Sequence, residues 1–106
     1  MEEKKYKIED SERNRTIGNY TRGNGLTPRK DEQIISIFST TIPRDREKIN
    51  IEIYHVENAT LKIIERRYPP YSLDPTEATL TLTARKQEEI DKAVQTIEKK
   101  MRIKLK

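Results

Sequence analysis

The spacing of the hydrophobic residues changes once along the chain, and this change limits the possible folds more than any other feature. Isoleucines at positions 49, 51 and 53 alternate with other residues, the period of two that is typical of a half-buried β-strand. From Arg85 onward the apolar residues follow a helical period instead and form one stripe: Ile90, Ala93, Val94, Ile97 and Met101. Strands followed by a long helix are typical of an α+β domain.

Three further segments complete the predicted sheet. Residues 34–42 are rich in β-branched and aromatic side chains and end before Pro43. Residues 61–65 follow the preceding strand after so short a turn that the two strands must be antiparallel. The Pro-Pro pair at 69–70 lacks N–H donors and ends this strand, and alternation returns at 78–84. We therefore predict four mostly antiparallel strands with one long C-terminal helix on one face.

One predicted helix covers one face of the sheet, so the other face is open. The residues expected on the open face are Thr79, Thr81 and Thr83 of one strand and Asn50, Glu52 and Tyr54 of another. We expect water to solvate this polar face. The alternative is that the open face, or an edge strand, binds a partner protein or a second copy of the chain. Residues 101–106 contain no glycine or proline, so we expect them to continue the helix.

The first thirty residues differ in composition from the rest of the chain. Residues 13–25 contain three arginines, three glycines, three asparagines and no acid, and Ile17 is their only aliphatic residue. Residues 13–30 carry five basic residues and no acidic one, whereas residues 31–106 are almost balanced in charge. The sequence thus predicts a flexible N-terminal arm at 1–30, basic at 13–30, and a single small domain at 31–106.

Composition argues against catalysis. The chain has 106 residues, of which 32% are hydrophobic and 38% charged, so a thin two-layer fold without a deep cleft is expected. No cysteine is present, which excludes disulfides and thiolate metal sites, and nothing near His55 completes a catalytic triad. We expect no enzymatic activity, no cofactor and no metal site. The chain shows no signal peptide and no apolar run long enough to span a membrane, so a cytoplasmic location is expected.

The basic arm favours nucleic-acid binding. Arginines neutralise phosphates and stack on bases, and a tyrosine ring can stack as well. Two more basic segments, before the second and after the third predicted strand, could add phosphate contacts. The predicted nucleic-acid contacts are Arg13, Arg15, Tyr20, Arg22, Arg29, Lys30, Arg44, Arg46, Lys48, Arg66 and Arg67.

These residues lead to two hypotheses. The first is a non-catalytic RNA-binding or ribonucleoprotein-associated protein whose arm contacts the phosphate backbone. RNA is favoured, and DNA stays open because groove and 2′-hydroxyl readout depend on geometry. The alternative is a protein-interaction or homo-oligomerisation module that uses the open sheet face or an edge strand.

One stretch resembles a known family. Residues 63–71, then 78–83, then 89–97 are similar in order to the strand, Pro-Pro turn, strand and helix in the C-terminal domain of the alpha subunit of translation initiation factor 2. The helix that precedes those strands in that family has no counterpart here, because residues 35–53 are predicted as strands. The resemblance implies a partner among RNA or the translation machinery.

Overall fold

The computed structural model describes residues 1–24 and 34–105, without the side chains of residues 22–24. The described residues form five strands in one antiparallel sheet of order β1-β5-β4-β3-β2, together with two helices. The elements are β1 (Glu2–Ile8), α1 (Ser11–Asn24), β2 (Ile34–Pro43), β3 (Lys48–Val56), β4 (Ala59–Arg67), β5 (Glu77–Ala84) and α2 (Gln87–Met101). The α+β class and the four predicted strands are confirmed, and the structure adds one strand and one helix.

The additional elements lie in the segment predicted as a flexible arm. β1 pairs with β5, with Tyr6 opposite Leu80, and α1 buries Ile17 and Tyr20 in the core. For residues 1–24 the arm is therefore corrected to a folded strand and helix, and residues 25–30 lie outside the described residues. The pattern was not visible in the sequence because each element has only one or two apolar residues facing the core. Tertiary packing, rather than local periodicity, holds them.

The core lies between the sheet and the two helices. α2 buries Ile90, Ala93, Ile97 and Met101, so the predicted helical stripe is confirmed. α1 comes so close to the loop before β5 that a Cβ on Gly18 would lie 2.9 Å from Cδ of Pro75. A residue without a side chain permits this approach.

The helix α2 does not continue to the end of the chain. Arg102 has left-handed backbone angles, φ 58° and ψ 44°, and ends the helix, so the predicted continuation is wrong. The chain then turns back to bury Ile103 and Leu105. The Leu105 N–H donates to the Glu98 carboxylate at 2.9 Å, and Arg13 Nη1 donates to the Lys104 carbonyl at 2.7 Å. These contacts bring the C-terminal segment against the start of α1.

The strand β3 faces the opposite way from the prediction. Asn50, Glu52 and Tyr54, expected on the open face, lie on the helix-covered face, where Glu52 and Tyr54 are buried. Ile51 instead pairs with Ile64 of β4 and lies on the open face. Period-two alternation identifies a strand, but it does not say which side points inward when both sides contain large residues.

Candidate interaction surface

The reversed β3 places a group of apolar side chains on the open face. The pairing register puts Phe38 beside Ile53, Ile42 beside Ile49, and Ile51 beside Ile64. The group, called here the apolar β2–β3 face, consists of Ile35, Phe38, Ile42, Ile49, Ile51, Ile53 and Ile64. Its members on β2 are the most exposed, with exposed fractions of 46% for Ile35, 49% for Phe38 and 38% for Ile42. In the described structure no helix packs over these side chains.

A β-bulge in β2 increases this surface. The register shifts between Ser36 and Phe38, which leaves Ile37 as an additional residue with an exposed fraction of 49%. In an uninterrupted strand, residues 35 and 38 would point to opposite faces. The bulge lets Ile35 and Phe38 both lie on the open face.

The two edges of the sheet have opposite chemistry. Among the described strands, β2 pairs only with β3, so no described strand lies along its outer backbone edge, and none of its ten residues is charged. β1 forms the other edge and has five charged side chains among seven residues: Glu2, Glu3, Lys4, Lys5 and Lys7. Charged side chains are a common protection of an edge against pairing with another chain. β1 has this protection and β2 lacks it.

The rest of the open face is polar. Thr79, Thr81 and Thr83 lie there as predicted, next to Lys62 of β4. The apolar β2–β3 face therefore ends at β4, and polar side chains border it. A contiguous exposed apolar patch with a polar rim is typical of an interaction site.

A polar cluster lies behind the apolar face, on the helix-covered side. Arg67 Nη2 is 3.5 Å from Glu65 Oε2, and both residues are buried. Ser39 of β2 donates to Glu52 Oε1 at 2.9 Å. Burial raises the pKa of Glu52, and the neighbouring Glu65 charge adds to the shift, while the Ser39 hydrogen bond and Arg67 oppose it. β3 thus directs Glu52 inward and Ile49, Ile51 and Ile53 outward, and β4 buries Glu65 and Arg67 beside the core residues Leu61 and Ile63.

Several predicted nucleic-acid contacts are engaged within the protein. Tyr20 is buried and its ring meets that of Tyr54 edge-on at 6.3 Å between centroids, so it is not available to stack on a base. Arg67 is 2% exposed and is not available to a phosphate. Arg13 Nε lies 2.6 Å from Asp10 Oδ1, and Arg15 Nε lies 3.3 Å from Asp74 Oδ2, although Arg15 remains largely exposed. The side chain of Arg22, and all of Arg29 and Lys30, lie outside the described residues.

The other predicted contacts come together at one end of the sheet. The β2–β3 hairpin and the end of β4 meet there, joined by a 2.7 Å ion pair between Arg66 Nη2 and Glu47 Oε2, and the loop after β4 begins at this end. Arg44 and Arg46 are exposed on the hairpin, and Lys48 begins β3. Asp45 also lies on the hairpin, so the cluster contains both signs of charge.

Two tyrosines of the adjoining loop were not among the predicted contacts. The exposed fractions are 59% for Tyr68 and 84% for Tyr71, beside the Pro-Pro pair. This loop includes a cis peptide bond between Tyr68 and Pro69. The mixture of bases and rings in the sequence at 66–71 was the signal that could have found these two tyrosines.

Comparison with known proteins adds no relative. The chain matches no protein-family model, no curated protein and no solved structure. Neither described helix is long and apolar enough to cross a membrane. Within residues 1–24 and 34–105, no group of three or more histidine, aspartate or glutamate side chains is placed to hold a metal ion.

Proposed function

We propose that this chain is a non-catalytic protein-interaction module, which binds through the apolar β2–β3 face and the uncharged edge of β2. The outward direction of Ile49, Ile51 and Ile53 carries this proposal. Together with Phe38 and Ile42 they form an apolar surface that would be more stable covered, at about 25 cal/mol for each Å² removed from water. A cytoplasmic setting remains part of the proposal.

The composition of the surface also fits this function. Protein interfaces are depleted in charge at their centre and have a polar rim. β2 has no charge along ten residues in a chain that is 38% charged. The threonines and Lys62 on the neighbouring strands supply the rim. Phe38 is the only aromatic side chain of the apolar face, and aromatic anchors often contribute most of the binding free energy.

The test compares two lysine substitutions on the same sheet face. Phe38→Lys places a charge inside the apolar β2–β3 face, and Thr81→Lys places the same charge on its polar part. Proteins captured from lysate of the source cells would be purified and titrated by calorimetry against the wild type and both variants. We expect Phe38→Lys to weaken binding at least tenfold, about 1.4 kcal/mol, and Thr81→Lys to leave it unchanged. Equal affinity for the wild type and Phe38→Lys would contradict the proposal.

The end of the sheet that carries Arg44 and Arg46 supports a second candidate function, the binding of nucleic acid, with RNA favoured. The exposed rings of Tyr68 and Tyr71 are the specific observation in its favour. Bases stack on exposed aromatic rings, and each stacked base contributes about 1–3 kcal/mol. This candidate relocates the contact from the predicted arm to the hairpin and the loop after β4.

Salt dependence tests the second candidate. Fluorescence anisotropy with a single-stranded RNA gives the binding constant at several salt concentrations. A plot of the logarithm of this constant against the logarithm of the salt concentration has a negative slope, which should become less steep by about 0.7 for each phosphate contact removed. We expect Arg44→Gln with Arg46→Gln to reduce the slope, and Tyr71→Ala to reduce affinity at every salt concentration. Lys99→Gln, an exposed position on α2, controls for the loss of a charge. A slope that is the same for all variants would exclude this end of the sheet.

A further inference from the structure

We infer that the edge of β2 pairs antiparallel with β2 of a second copy of this chain, around a two-fold axis at Thr40. This inference rests on the proposed function and names the partner of the β2 edge. It follows from three properties of β2: its open edge, its lack of charge and the position of its bulge.

The open edge accepts another strand. β2 is the longest strand of the described structure, and its outer side meets none of the described strands. An unpaired edge of this kind presents backbone N–H and C=O groups that another strand can satisfy. β1, the other edge, is protected by its charged side chains. The structure therefore offers one edge for pairing.

The lack of charge favours a second copy as the occupant. When a strand pairs with its own copy around a two-fold axis, residues equidistant from the axis meet each other. A charged strand that met its own copy could place like charges opposite each other, which destabilises the pair. β2 consists only of isoleucine, phenylalanine, serine, threonine and a final proline. Two copies of β2 can therefore pair without electrostatic repulsion. A charged segment of another protein would find no opposite charge on β2 with which to form an ion pair.

The bulge selects the register. Residues opposite each other in an antiparallel pair lie on the same face of the joined sheet. An axis at Thr40 places Phe38 opposite Ile42 of the second copy, and both belong to the open face. The regular segment 38–42 then pairs without reaching the bulge at Ile37.

Other registers fit less well. An axis at Phe38 brings Ser36, which faces the helices, against Thr40 of the open face, because the bulge lies between them. An axis at Thr41 places the charged Arg44 opposite Phe38. An axis between two residues pairs side chains from opposite faces. Only the axis at Thr40 both keeps the faces aligned and joins Phe38 to Ile42.

The described strands of two copies form one ten-stranded sheet, and a row of apolar side chains crosses the junction on each side of the two Thr40 residues. Across the junction, Ile49 and Ile42 of one copy continue into Phe38 and Ile53 of the other. Pairing over five residues buries less than the roughly 800 Å² per partner of a standard interface. We therefore expect a weak dimer, with a dissociation constant in roughly the micromolar range or above.

Analytical ultracentrifugation and cysteine crosslinking test this inference together. The wild type should approach twice its monomer mass as the concentration rises to the millimolar range. Thr40→Lys places two ammonium groups at the axis and should weaken self-association at least tenfold, whereas Thr81→Lys should associate like the wild type. The chain has no cysteine, so a single introduced thiol reports one contact. Thr40→Cys should form a disulfide-linked dimer on mild oxidation, since opposite residues lie within disulfide reach, and Thr81→Cys should not.

The outcomes separate this inference from the proposed function. A dimer that forms equally in Thr40→Lys and is not trapped by Thr40→Cys would use another surface and would overturn the inference. The wild type could also stay monomeric while binding of its captured partner still requires Phe38. This result would overturn the inference that β2 pairs with a second copy, and it would leave the proposed function intact. A monomer whose partner binding does not depend on Phe38 would overturn both.

Discussion

Arg66 and Arg67 are neighbours in sequence but lie on opposite faces of β4. Arg66 is half exposed and pairs with Glu47, which also raises the pKa of its guanidinium. Arg67 is buried against Glu65 and also donates to the Leu73 carbonyl at 3.4 Å. Exposed ion pairs contribute little to stability, whereas removing one partner of a buried ion pair strongly destabilises the folded protein.

The first prediction follows from this difference. Arg67→Ala should lower the free energy of unfolding by about 3–5 kcal/mol, because Glu65 would stay buried with one cation fewer. Arg66→Ala should lower it by less than about 1 kcal/mol. Urea unfolding followed by circular dichroism measures both, and the two variants serve as each other's control. Similar losses in both would mean that the buried pair does not stabilise the sheet.

The second prediction concerns the pH dependence contributed by Glu52. Its pKa is raised in the folded protein, mainly by burial. The group therefore contributes most to stability below its unfolded pKa, and this contribution is lost as pH rises through the raised folded pKa. Glu52→Gln removes this loss while keeping an acceptor for Ser39.

The measurement is urea unfolding of wild type and variant at several pH values. The stability of Glu52→Gln relative to wild type should increase from about pH 4 towards neutrality, through the range where carboxylates titrate. Glu88→Gln, at a side chain that is 79% exposed, controls for the loss of one negative charge. A relative stability that falls with rising pH would show that the Glu52 carboxylate is favoured, not penalised, at this site.

At the scale of elements, the sequence predicts α2 and four strands because their hydrophobic periods are strong. It does not predict β1 and α1, since Ile8 and Ile17 are isolated apolar residues whose burial depends on the rest of the fold. The face of β3 is reversed because Tyr54 and Ile53 are both large enough to fill a core. From the sequence, the interaction surface could be predicted only as an open sheet face or an edge strand. Its apolar character became clear only from the pairing register, which shows which side chains share the open face.

The third prediction concerns the end of α2. Arg102 adopts left-handed angles, which cost a residue with a Cβ about 1–2 kcal/mol more than glycine. Arg102→Gly should remove this cost, partly offset by greater freedom of the unfolded chain, for a net gain of up to about 1 kcal/mol. Thermal unfolding should show a higher midpoint. Lys104→Gly, an exposed position without a positive φ, should lower the midpoint and thus controls for added flexibility.

At the scale of the whole molecule, the segments at both ends of the described chain pack into the domain. β1 adds a strand beside β5, and α1 contacts the C-terminal segment through Arg13 and the Lys104 carbonyl. Ile17 of α1 and Leu105 near the other end are both buried in the same core. Residues 1–24 should therefore unfold together with the rest, rather than as an attached arm.

The last prediction tests this cooperativity. Ile17→Ala should destabilise the domain by about 2–5 kcal/mol through a cavity in the shared core. Far-ultraviolet circular dichroism and tyrosine fluorescence should shift together in a single urea transition, because a small single domain unfolds in one step. Glu12→Ala, at an exposed site in the first turn of α1, should cost no more than about 1 kcal/mol. In the contrary case, Ile17→Ala would lose part of its helical circular dichroism at low urea concentration, while the remaining transition kept the wild-type midpoint. The stability of the sheet would then not depend on α1.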